Sequence, residues 1–318
     1  MRRRYLAIAG IILVAVLGMS GAYVFFASSQ GLASSTASSE QGRLKVLATF
    51  FPVYDFTRNV GGDRIDLSLL VPETVDVHEF EPTPSAVLDV ASANVIVFSG
   101  AGLEPWIPQL VKAAGSPNLV VVDSSAGIPF LPVPPQFQKD NRTVDPHMWL
   151  DPVLAKMQVA NILRGLSQAD PADANYFAAN ARAYGAKLDF LNDEIINATA
   201  NVKTRYFVTF HEAFAYFAQQ YNLTQIPIAG PFEEEPTPGD IQNVINAIHQ
   251  YQLCYVGYES LQNPAIAQSV ASQTKATLVL MDPIEGLTQA DHVAGKTYLI
   301  KMQDDLQVFM LVLNHVGC

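Results

Sequence analysis

The sequence predicts an α/β protein of two halves, each a mainly parallel sheet flanked by helices, joined by a long rigid helix. Three observations predict it. Eight short β-branched or apolar runs alternate with helical patterns, four of the runs precede residue 150 while four follow residue 205, and the stretch between them carries helical signals alone. Buried parallel strands read as continuous apolar runs, and strand–helix alternation marks doubly wound sheets. A chain of 318 residues also fits two domains of about 150 residues.

Arg2, Arg3 and Arg4 are followed by 22 uncharged residues, Tyr5 to Phe26. As a helix that stretch would reach ~33 Å and cross a ~30 Å hydrocarbon core, its basic start held on the cytoplasmic side. Residues 1–27 therefore read as a signal peptide or N-terminal membrane anchor. Ser20-Gly21-Ala22 offers a small-x-small cleavage pattern, but the length of the run favours a retained anchor. The rest is expected outside the cytoplasm, tethered at the cell surface, or secreted if the segment is cut. No Cys follows the run to carry a lipid. Residues 28–42, rich in Ser, Ala and Gly, have the composition of a flexible linker.

Residues 43–168 form the expected N-terminal lobe, with strands at Leu44 to Phe50, Asp66 to Val71, Asn94 to Phe98 and Leu119 to Val122. Residues 169–203 form the connection. After a break at Asp170-Pro171, the Ala-rich stretch from Asp173 to Asn201 would make a stiff strut ~43 Å long. Residues 204–318 form the C-terminal lobe, with strands at Tyr206 to Phe210, Gln225 to Ala229, Cys254 to Tyr258 and Thr277 to Met281. Between these, Asp240 to Tyr251 puts Ile241, Val244, Ile245 and Ile248 on one helical face. Asn263 to Thr274 opens on an N-cap Asn, with Pro264 at the first helical position. Thr297 to Val316 reads as an apolar-faced helix that closes the lobe.

Apolar residues make up 49% and charged residues 15%, enough to bury a core and unlike a disordered chain. The net charge is −11, and −14 once the three leading arginines are set aside, which disfavours nucleic acid as a partner. Cys254 and Cys318, the two cysteines, are too few for a disulfide scaffold or a zinc knuckle. Outside the cytoplasm they would either bridge the last helix to the second sheet, stabilising by ~4 kcal/mol, or leave Cys254 buried and Cys318 free. Asn141, Asn197 and Asn222 each begin an N-x-T sequon and are candidate glycan sites.

Six histidines are no enrichment, so their positions decide. His78 follows the second strand, His147 stands between Pro146 and a helix start at Asp151, His211 ends a strand, and Asp282 ends another. Ligands of open α/β sheets gather beyond the carboxyl ends of strands. His249, on the polar side of its helix, His292, in a polar loop, and His315, near a helix C-terminus, need no ligand role.

In the motifs VDVHEFEPTPS, DPHMWLDP, FVTFHEAFAYFA and LVLMDPIEGL the chain resembles the cluster A-I metal-binding solute-binding proteins of ABC transporters, the ZnuA/TroA-like family, from Leu44 to the C-terminus. The resemblance implies two Rossmann-like lobes joined by a long helix with one metal in the cleft, and His78, His147, His211 and Asp282 as its ligands. It also implies capture of zinc or manganese outside the cell and delivery to a membrane ABC permease and its cytoplasmic ATPase, without catalysis. The family's manganese branch commonly carries Glu where this chain has His211. Imidazole suits Zn²⁺ and oxygen suits Mn²⁺, so three His with one Asp favour zinc, with manganese the alternative. The His-rich acidic loop of many zinc-specific members is missing: residues 127–144 contain no His.

Glu259 reads either as an outer partner of the site or as a helix-entry charge. Glu79, Glu81, Asp145 and Glu212 read either as acceptors for an imidazole's second N–H or as solvated loop charges. The rival functions are an extracytoplasmic zinc hydrolase with Glu212 or Glu259 as general base and a surface adhesin stabilised by a structural metal. His211-Glu212 does not continue into HExxH, because Ala215 stands at the fifth position. Pro105 likewise ends the likeness of Gly100 and Gly102 to a dinucleotide loop. A monomeric carrier whose ligands saturate the cation is the leading reading.

Overall fold

Four parallel strands, β1 (Leu44–Ala48), β2 (Ile65–Leu69), β3 (Val95–Phe98) and β4 (Val120–Asp123), form the first sheet in the order β2-β1-β3-β4. The computed structural model describes residues 42–138 and 141–318, so the segment expected to be a signal peptide or membrane anchor, and all but the last residue of the expected linker, lie outside the described residues. Among the described residues no helix is long and apolar enough to cross a membrane. In the second lobe β5 (Tyr206–His211) pairs in parallel with β6 (Thr224–Ala229), and β7 (Tyr255–Tyr258) with β8 (Thr277–Leu280). Gly257 in β7 lies so close to β5 that a Cβ would stand 2.9 Å from the Val208 carbonyl oxygen. The two pairs therefore run side by side as β6-β5-β7-β8, the same pattern as the first sheet. In each lobe the chain crosses over beside its first strand, the place where doubly wound sheets open a ligand crevice.

Helices separate the strands. They are α1 (Phe51–Gly61), α2 (Pro84–Ser92), α3 (Ile107–Ala114), α4 (Pro152–Ala169), α5 (Ala174–Thr199), α6 (Ala215–Gln220), α7 (Pro238–Tyr251), α8 (Ala265–Thr274), α9 (Gln289–Val293) and α10 (Tyr298–Asn314). Proline occupies the first or second position of α1, α2, α3, α4 and α7, where its missing N–H has no helical partner to lose. The expected start of α7 at Asp240 is its third residue: Thr237 caps the helix and Asp240 reciprocates in a capping box. α8 begins one residue later than its proline signal, with the Asn263 side chain accepting from the Ala265 N–H at 3.0 Å.

The strut α5 has 26 residues, ~39 Å at 1.5 Å per residue. Its buried Phe177, Ala181, Tyr184, Leu188, Leu191 and Ile195 recur every three or four residues and form one stripe. That stripe enters a continuous core shared by the two lobes, which also holds Val46, Phe56, Trp149, Phe207, Tyr298 and Phe309. Tyr184 donates to Asp55 at 3.1 Å and Asn180 to the Val60 carbonyl at 3.0 Å, pinning the strut to α1. A strut packed along this length opposes wide opening of the lobes.

Cys254 and Cys318 are disulfide-bonded. The bond anchors the tail after α10 beside β7, where Gly317 N–H also donates to Gln252 O at 2.9 Å. The sequon residues Asn141, Asn197 and Asn222 are all exposed.

Candidate metal centre

Local chemistry fixes each histidine before any metal is considered. His78 sits in a 3₁₀ turn, Val77–Glu79, whose N-cap Asp76 accepts from the His78 N–H at 2.7 Å. His147 precedes another 3₁₀ turn, Met148–Leu150, and a single oxygen of Asp145 accepts its backbone N–H and its Nδ1–H, both at 2.8 Å. His211 is the last residue of β5. Glu259, just beyond neighbouring β7, repeats the device and accepts His211 N–H at 3.0 Å and Nδ1–H at 2.7 Å. With Nδ1 donating outward, the Nε2 lone pairs of His147 and His211 point inward.

Those lone pairs converge. His147 Nε2 lies 3.2 Å from His78 Nε2 and 3.2 Å from His211 Nε2. Glu285 Oε1 lies 3.2 Å from His78, 3.4 Å from His147 and 3.4 Å from His211, measured to Nε2. Five of the six distances among the four donors are thus 3.2–3.4 Å, and the sixth, His78 to His211, is within 4.8 Å; a regular tetrahedron with edges of 3.2–3.4 Å has its centre about 2.0–2.1 Å from each corner, the bond length of tetrahedral zinc to nitrogen and oxygen. All four side chains are nearly or wholly buried. Nitrogen and oxygen lone pairs facing one another in a dry pocket repel unless a cation stands among them. The donor set therefore fits a divalent metal.

The carboxylates around the site favour a proton on two of the imidazoles. Burial works against charge on His211, but the Glu259 and Glu285 carboxylates outweigh it and hold the imidazole well above its usual 6.5. His78 is raised in the same way, burial being overcome by Glu285. Burial would raise Glu285, but His78 and His211 hold it well below the usual carboxylate range. Around this core burial pushes other acids up: Glu233 to about 8, Glu212 to about 7 and Asp76 to about 6.

Asp282, expected as the fourth ligand, is not one of the four converging donors, and Glu285 takes that place. Both oxygens of Asp282 are engaged elsewhere: Lys301 Nζ, from a distant part of the chain, donates to Oδ2 at 2.6 Å, and the Ile284 N–H donates to Oδ1 at 2.8 Å. Sequence reasoning missed Glu285 although it stands three residues on, before Gly286. That glycine is required where it is, because a Cβ would come within 2.1 Å of the Glu73 carbonyl oxygen. The same carbonyl accepts the Leu287 N–H at 2.7 Å, tying the His78 loop to the Glu285 loop across the cleft. Trp149 Nε1–H donates to the Pro283 carbonyl at 2.8 Å and makes a second tie. Gln262 makes a third by donating to Asp76 and Glu233, each at 2.8 Å.

Of the remaining candidates, Glu79 and Glu81 are exposed, and Glu212 is partly buried with Oε2 lacking a hydrogen-bond partner. His292 pairs with Glu73 at 2.5 Å, His315 donates to the Leu311 carbonyl, and His249 is exposed.

A family model described as the periplasmic component A of the zinc-uptake complex, ZnuA, matches residues 46–310. The chain belongs to the ZnuA family. The high-affinity zinc uptake system protein ZnuA of Bacillus subtilis is 30% identical over 281 residues, 85% of this chain and 88% of that protein. The zinc-binding lipoprotein AdcA of Streptococcus pneumoniae is 28% identical over 295 residues, 90% of this chain but 59% of AdcA, so the chain spans about three-fifths of that relative's length. The crystal structure of the zinc-bound ZnuA-like domain of the same AdcA superposes with a TM-score of 0.75 at 28% identity, covering 86% of this chain and 100% of the domain. The two-lobed α/β architecture of the ZnuA family is the fold described above.

Proposed function

We propose that this chain captures a zinc ion outside the cytoplasm with His78, His147, His211 and Glu285 and delivers it to a membrane ABC permease. The observation that carries the proposal is the convergence of four buried donors, contributed by both lobes, at the spacing of a tetrahedral zinc shell. Membership of the ZnuA family supports the transport role. The B. subtilis and S. pneumoniae relatives named for zinc uptake and zinc binding support the choice of metal.

Four protein donors fill a tetrahedral shell and leave no position for an activated water, which suits a carrier and opposes hydrolysis. Asp145 and Glu259 hold their imidazoles in the metal-ready tautomer, so these two ligands are preorganised. His78 Nδ1 is buried without a hydrogen-bond partner and its imidazole is held by fewer contacts. Release proceeds by separating the donors of one lobe from those of the other, within the small range that the shared core allows.

Elemental analysis of the full-length protein after equilibration with equal Zn²⁺ and Mn²⁺, beside His211→Ala, tests the reading. One zinc per wild-type chain and little in the variant is the expected result. Preferential manganese, or equal loading of the two proteins, would overturn it.

A further inference from the structure

We infer that Lys301 decides which carboxylate serves the metal, by withdrawing Asp282 into the scaffold and leaving the fourth position to Glu285. The inference rests on the reading that the three histidines and Glu285 hold the cation. Asp282 and Glu285 occupy one loop, three residues apart, and are both buried. They differ in what faces them. Lys301, itself 3% exposed, projects from α10 and places its ammonium 2.6 Å from Asp282 Oδ2 and 3.5 Å from Asp291 Oδ2. One helical turn further on, Asp305 Oδ1 accepts the Asp282 backbone N–H at 3.0 Å. α10 therefore grips Asp282 by side chain and by backbone.

The second oxygen of Asp282 shapes the chain that follows. It accepts the Ile284 N–H at 2.8 Å, and Ile284 has a φ of +60°, in the left-handed region that a β-branched residue rarely enters. Such a conformation costs about 1–3 kcal/mol and persists only where its surroundings enforce it. Here the enforcement is the Asp282 turn together with the wholly buried Ile284 side chain. The turn carries Glu285 to the three imidazoles.

A buried ammonium must keep a counter-charge. Moving Asp282 to the metal would strip Lys301 of its nearest one, so the pair opposes that exchange. Without the Lys301 charge, Asp282 would be a buried, unpaired carboxylate on the metal-binding loop, and the cation would be its natural partner. An extra oxygen donor shifts a site away from the tetrahedral, nitrogen-rich set that zinc favours and towards manganese.

The test uses the full-length wild type, Lys301→Met, Asp282→Asn and the double variant Asp282→Asn/Lys301→Met, compared by Zn²⁺/Mn²⁺ competition and by the visible spectrum of the Co²⁺-loaded protein. Lys301→Met is expected to lower the preference for zinc over manganese on the order of tenfold, the lower end of effects seen when a ligand's supporting partner is lost. It is also expected to weaken the intense tetrahedral Co²⁺ bands. The double variant should recover both, having no carboxylate left to release. A wild-type preference in Lys301→Met, or a double variant indistinguishable from it, would overturn the inference. If Lys301→Met does not fold, Asp282→Asn decides alone: a zinc affinity within a few-fold of wild type supports a scaffold role, and a loss of a hundredfold would mean that Asp282 ligates. A wild type that takes up no zinc would instead count against the proposed function.

Discussion

Glu259→Ala should weaken zinc binding about 10–100-fold, the usual effect of removing the acceptor behind a metal-bound imidazole, and equal to about 1.4–2.7 kcal/mol. Glu259 contributes two hydrogen bonds to His211, at 2.7 Å to Nδ1 and 3.0 Å to the backbone N, in a residue with no exposed surface. Truncation leaves the buried backbone N–H unpaired, at a cost of about 1–3 kcal/mol to the folded state, and leaves the Nδ1–H only the more distant Glu233 Oε1, 3.5 Å away. That part falls on the loaded and empty protein alike and shows as a lower melting temperature. The part specific to metal is the freedom of the imidazole to rotate or change tautomer. Glu259→Gln keeps an oxygen in place for both bonds and removes only the charge, so its loss of affinity should be the smaller. Competition with a chromogenic chelator at fixed pH measures the affinities. NMR titration of the metal-free protein adds a second readout, since Glu259 raises the His211 pKa and its loss should lower it. An alanine variant that melts earlier but binds zinc within twofold of wild type would refute the assigned role.

The remaining expectations concern pH, the disulfide and the cross-lobe ties. Zinc affinity should fall with pH starting above 6.5, because His78 and His211 carry raised pKa values and a proton on either competes with the metal. Calorimetric titration across pH 8.5 to 5.5 checks this, and a flat profile contradicts it. In the metal-free protein the raised His211 stabilises the fold fully below 6.5 and loses that contribution as pH climbs through its folded value. Thermal melts should therefore show its share of stability declining above 6.5, with added zinc stabilising most at high pH. Cys254→Ser opens a loop of sequence separation 64 and should cost about 4 kcal/mol, read from denaturant unfolding. Trp149→Phe removes the bond to the Pro283 carbonyl and leaves that oxygen unpaired, a loss of about 1–3 kcal/mol.

The eight strands were legible because buried parallel strands announce themselves as apolar runs, and each run coincides with one of β1 to β8. The gathering of His78, His147 and His211 in one place was legible because they lie at or after strand ends and carry the family's motifs. The fourth donor was not. MDPIEGL offers two carboxylates, and the choice between them depends on Lys301, nineteen positions further on, and on the backbone angle of Ile284. Neither can be read locally. Glu259 was ambiguous for a similar reason: its partner His211 stands 48 residues away, and only the neighbouring of β5 and β7 joins them. The disulfide stayed open in the sequence because nothing there shows the tail folding back beside β7.

X-ray absorption at the zinc edge of the loaded protein reads the number and kind of donors around the cation. Four nitrogen or oxygen neighbours at about 2.0–2.1 Å, with the multiple-scattering pattern of three imidazoles, are expected. A six-neighbour shell, or fewer than three imidazoles, would contradict the proposed zinc site.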